Sequence, residues 1–164
     1  MELVAPVTGL DEFTAVVEAK PDLVELRLDL VAREDLPGLA AACREVSLPL
    51  VATVRSVEEG GAFAGDADDC ARLLVPFLSL ARYVDLERRF RSQAPACRRA
   101  GCRVIASVHL GTMLPLPELF GLERDLRSYG DIPKLVLAPS SDDDLLDLLS
   151  FTHAVSKPVC TSIM

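Results

Sequence analysis

The chain has 164 residues, half of them apolar, and 17 basic against 25 acidic residues give a formal net charge of −8. That length fits one domain with enough apolar material for a real core, and the acidic balance argues against nucleic acid or an anionic membrane as the main partner. No apolar run approaches the roughly 20 residues of a membrane span, and the opening MELVAPVTGL lacks the basic start of a signal peptide.

The first predicted strand, ELVAPV over 2–7, leads through the turn APVTGLDE into LDEFTAVVEAK, which has helical spacing from Leu10. The turn contains no GxGxxG, and no GxxxxGK occurs anywhere, which weakens a nucleotide-binding reading. The second strand, DLVELRLD over 22–29, has an apolar face (Val24, Leu26, Leu28) and a face carrying Glu25, Arg27 and Asp29. A helix from Leu36 (LPGLAAACREV) separates it from a third strand over 48–56, where Thr53 and Arg55 share a face. A helix from Asp66 (DADDCARLLVPFLSLA) leads to a fourth strand over 82–87, with Asp85 and Glu87 on one side. The fifth strand, over 102–109, aligns Ser107 with His109, and the sixth, over 132–138, carries Lys134 beside Val136. Ser141 and three aspartates open the next helix as a hydroxyl cap with carboxylates at the positive end of the dipole; adjacent aspartates on a helix diverge too much for a metal site. A seventh strand covers 158–164.

Strands and helices alternate as parallel βα units do, in an open doubly wound sheet or a barrel. A sheet covered by helices on both sides is apolar on both faces. Five strands break that rule on one face, mostly near their C-terminal ends. Those faces meet in a shared interior if the sheet closes into a βα barrel, whose active site lies at that end. The bland readings are solvated Arg33, Arg44, Arg88 and Arg89, with Glu87 as an exception, and a surface His153 beside Phe151. The five cysteines are odd in number and show no CxxC, so buried free thiols in a reducing cytoplasm are expected. Lys134 is harder to dismiss. An ammonium in an apolar strand must find a partner or lose its proton, and a desolvated lysine is a nucleophile toward carbonyl compounds.

The segments VELRLDL (24–30), ATVRSVEEGGAF (52–63), YVDLE (83–87), VIASVH (104–109) and DIPKLVLAPSSDDD (131–144) together resemble type I 3-dehydroquinate dehydratase. The resemblance covers essentially the whole chain. It implies an eight-stranded (β/α) barrel and a lyase of the shikimate pathway, which dehydrates 3-dehydroquinate to 3-dehydroshikimate through a lysine Schiff base. It implies Lys134 as the imine-forming lysine, His109 as the base and acid, and Glu59 as the carboxylate that orients His109. Glu25, Arg27 and Arg55 are implied as holders of substrate hydroxyls. No metal or other cofactor is required, because a protonated imine is itself an electron sink. Gly60 and Gly61 are expected to supply a positive φ and a close backbone approach. The expected setting is a cytoplasmic homodimer with a small-molecule substrate and neither nucleic acid nor membrane as partner. The alternatives are a class I aldolase-like Schiff-base barrel and a non-catalytic barrel remnant acting as a binding module.

The family pattern continues past Met164 with a carboxylate-binding arginine, an eighth strand, and a loop serine and glutamine, none of which has a match here. The segment LGTMLP after His109 also departs from the family's aromatic-containing loop. The expectation is one βα-barrel domain over 1–164, C-terminally incomplete relative to the family, with about seven of eight strands. Such a sheet has unpaired edges at 2–7 and 158–164, and weaker substrate binding is expected than in a chain with the eighth unit.

Overall fold

The computed structural model describes residues 3–164. Seven strands run in chain order: β1 Val4–Val7, β2 Leu23–Arg27, β3 Leu50–Thr53, β4 Tyr83–Glu87, β5 Arg103–Leu110, β6 Ile132–Leu137 and β7 Cys160–Ile163. Each predicted strand is present, six of them shortened at one or both ends and the fifth shifted by one residue to end at Leu110; Glu2, the first residue of the predicted first strand, lies outside the described residues. Every neighbouring pair is parallel and the strand order is sequential. A doubly wound sheet reverses its order at a switch point; this one does not. Among the described residues, β1 pairs only with β2 and β7 only with β6.

Six α-helices connect the strands: α1 Phe13–Glu18, α2 Leu36–Cys43, α3 Ala67–Leu74, α4 Ala94–Arg99, α5 Leu116–Arg127 and α6 Asp142–Ala154. Ser141 caps α6 by accepting from the Asp144 amide at 3.1 Å. Asp66 caps α3, accepting from the amides of Asp68 and Asp69 at 2.9 Å each, while Asp69 reaches back to the Asp66 amide.

The apolar strand faces meet these helices. Val24, Leu26, Ala52, Val84, Leu86, Val104, Ala106, Leu135 and Leu137 are fully buried, in one core with Leu39, Phe77, Phe90, Leu119, Leu126 and Phe151 from the helical layer. Cys43, Cys70, Cys97 and Cys102 are buried free thiols; Cys160 departs from the expectation and is exposed. The opposite strand faces share one concavity of about 570 Å³, to which all seven strands contribute, among them Val4, Glu25, Val51, Asp85, Lys134 and Cys160. The sheet is therefore curled around an interior, the α/β geometry of a TIM barrel with seven strands present.

Candidate active site

Parallel register brings the polar positions of successive strands level. Arg27 pairs with Thr53, and Thr53 with Asp85. One layer higher, Glu87 pairs with Ser107, Ser107 with Lys134, and Lys134 with Cys160. Near the C-terminal ends of the strands, Glu25, Arg27, Arg55, Glu59, His109 and Lys134 line one cavity of about 260 Å³. All six residues singled out from the sequence thus share a single surface.

Glu59 reaches this cavity from a short 3-10 turn, Val57–Glu59, after β3. Gly60 ends the turn with φ +84°, and a Cβ on Gly61 would lie 2.2 Å from the Arg55 carbonyl oxygen. Both glycines are needed, one for its left-handed backbone and the other for contact. The turn sets Glu59 Oε2 2.9 Å from the backbone amide of His109 and 3.0 Å from its Nδ1. A carboxylate can only accept, so Nδ1 carries a proton and Nε2 of the neutral ring is the basic nitrogen.

Arg55 is 4% exposed. Its Nη1 donates to Glu87 Oε1 at 3.0 Å and Ser107 Oγ at 3.1 Å, with Glu59 Oε2 at 3.4 Å, and its Nη2 donates to Asp85 Oδ1 at 3.0 Å. Glu87 Oε1 also accepts from the Ser56 amide at 2.7 Å. Arg27 is held differently, by a two-point contact with Asp29 at 3.0 and 2.9 Å. Glu25 accepts from Thr53 Oγ1 at 2.7 Å.

Lys134 Nζ donates to Asp85 Oδ2 at 2.9 Å. Of the two outcomes open to a lysine in an apolar strand, it has found a partner. Burial pushes its pKa down, but the carboxylates of Asp85 and Glu25 outweigh burial and raise it above the ordinary lysine value. Burial likewise works against ionised Asp85, yet Lys134, Arg55 and the Ser107 hydroxyl hold it well below the usual carboxylate range. Burial raises Glu87, reinforced by nearby Glu59 and opposed by Ser56 and Arg55. Asp85 is the contact that residue pattern alone did not single out. The signal was its position beside Glu87 in YVDLE, but pattern gives a face and not a partner.

The arrangement offers an amine anchored beside a carboxylate and a histidine whose tautomer is fixed by another, on one polar surface backed by a dry core. Residues 7–164 match the family profile described as Type I 3-dehydroquinase. A 3-dehydroquinate dehydratase of Methanoregula boonei is 44% identical over 165 residues, covering 100% of this chain and 78% of that protein. One from Methanospirillum hungatei is 32% identical over 163 residues; the match covers 99% of this chain but 64% of that relative, less than two thirds of its length. The crystal structure of the 3-dehydroquinate dehydratase from Geobacillus kaustophilus superposes with a TM-score of 0.86 at 25% identity, covering 100% of this chain and 74% of that one. A profile match over nearly the whole length, together with close full-chain relatives and a shared barrel, establishes that the chain belongs to the type I 3-dehydroquinase family.

Proposed function

We propose that this protein dehydrates 3-dehydroquinate to 3-dehydroshikimate, a hydro-lyase step of the shikimate pathway, through an imine on Lys134. The observation that supports this best is the sharing of one cavity by Lys134 and the His109–Glu59 pair. Lys134 adds to the ketone and expels water, leaving a protonated imine. That cation acidifies the neighbouring C–H. Nε2 of His109 takes the proton, and the electron pair moves to nitrogen as an enamine. The enamine then expels the β-hydroxyl, which leaves as water with the proton His109 has gained. Water hydrolyses the conjugated imine and frees Lys134. Glu59 keeps the His109 ring in one tautomer and steadies the imidazolium. Glu25, Arg27 and Arg55 are read as partners of the substrate hydroxyls. No step calls on a metal or other cofactor.

A cytoplasmic homodimer remains part of this proposal. No helix among the described residues is long and apolar enough to cross a membrane.

The test is turnover together with mass-detected, borohydride-reduced adduct in two variants. Lys134→Ala is expected to lose both. His109→Ala is expected to keep the adduct while turnover falls by about 10²- to 10⁴-fold, the usual share of one acid–base group. Full turnover in Lys134→Ala would remove the mechanism.

A further inference from the structure

Asp85 is 2% exposed, on β4 inside the barrel, and its two oxygens have separate partners. Oδ1 accepts from Arg55 Nη2 at 3.0 Å and from the Ser107 hydroxyl, while Oδ2 accepts from Lys134 Nζ at 2.9 Å. Ser107 is itself the β5 neighbour of Lys134. With one oxygen anchored by two donors, the other has a fixed direction, and Lys134 occupies it. A flexible four-carbon chain gains a defined end point in this way.

We infer that Asp85 is a positioning residue for Lys134, fixing its nitrogen within the lumen and serving as its counter-ion before and after imine formation. This rests on the reading of Lys134 as the imine-forming lysine. The charge balance makes the role specific. A lysine ammonium and a ketone give a protonated imine and water, so the positive charge on nitrogen is the same on both sides. The counter-ion of the ammonium therefore becomes that of the protonated imine without rearrangement. Between those two states the nitrogen is neutral in the amine that attacks and in the carbinolamine, its proton passing to the oxygen that leaves as water, and it is neutral again in the enamine, when the proton lost from carbon is on His109. Asp85 thus favours the state in which the nitrogen withdraws electrons, at the expense of free amine in the resting protein.

The charged and titratable groups around Lys134 are Glu25 and Arg27 on β2, Arg55 and Glu59 after β3, Asp85 on β4, His109 on β5 and Cys160 on β7. Of these, only Asp85 is hydrogen-bonded to Nζ. The neighbouring carboxylate Glu87 is equally buried and bonded to the same Arg55, but bonds the Ser56 amide in place of Lys134. It is the natural control.

The chain has three lysines, Lys20, Lys134 and Lys157, so each can be followed by NMR after reductive ¹³C-methylation. In the substrate-free protein, Lys134 is expected to titrate above the ordinary lysine value. Asp85→Asn is expected to lower the Lys134 protonation constant by at least about tenfold, while Glu87→Gln leaves it close to wild type. In turnover, Asp85→Asn is expected to lower kcat more than it raises KM, because the protonated imine loses its counter-ion. Lys134 titrating at or below the ordinary lysine value in the wild type, or moving equally in both variants, would overturn the inference. The wild-type titration decides even if Asp85→Asn fails to fold. Absence of any borohydride-trapped adduct in the wild type would instead defeat the dehydratase reading and leave the titration result standing.

Discussion

Arg55 has three carboxylates and a hydroxyl around a guanidinium that is 4% exposed. Such a cluster is a poor source of net stability but a costly one to break, since removing one partner strands a buried charge at about 3–5 kcal/mol. Its acid response follows from Asp85. The folded-state pKa of Asp85 lies below its ordinary value of 3.8, so its contribution is complete above that value and is lost as the pH falls through the folded one. Glu87 works in the opposite sense. Its folded pKa is raised above 4.5, so its contribution is complete below that value and is lost as the pH rises through the folded one. The lowered carboxyl, bonded to both Lys134 and Arg55, is expected to dominate the acid limb. Urea midpoints at about pH 3 and about pH 7 should therefore differ in the wild type, with the lower at acid pH. Asp85→Asn should narrow the gap, and an unchanged gap would show that Asp85 is not the group responsible.

The helices differ in how openly the sequence announces them. Ser141 and Asp66 are cap residues followed by acidic first turns, and both helices begin where that chemistry places them. Asp66→Ala is expected to cost about 1 kcal/mol of stability and leave turnover unchanged, read by denaturant titration beside a steady-state assay. The helices α4 and α5 have no such start. Each begins with proline at its first or second position and without a side-chain cap, and α5 buries Glu123 between Leu119 and Leu126 on its inner face. An acid there breaks the apolar stripe that makes a helix readable, although its partner Arg127 stands four residues on, at the spacing of a helical ion pair. The turn carrying Glu59 was more legible, because two adjacent glycines have few other uses than a left-handed residue and a close approach.

For the molecule as a whole, the fold was legible because seven strands alternate with helices and five of them set an apolar face against a polar one. The polar faces located the interior, and six candidate residues line one cavity within it. The pairing inside that cavity was not legible. Asp85 is level with Ile105, yet its side chain reaches Ser107 and Lys134 one layer higher. Tilted strands bring diagonal positions together in a curled sheet, and no periodicity within a single strand reports that offset. The central claim is that this interior is built around an imine-forming Lys134, and borohydride reduction in the presence of 3-dehydroquinate tests it most directly. Intact mass and peptide mapping are expected to find one adduct per chain, on the peptide containing Lys134. Labelling of Lys20 or Lys157 in its place, or no adduct at all, would contradict the account.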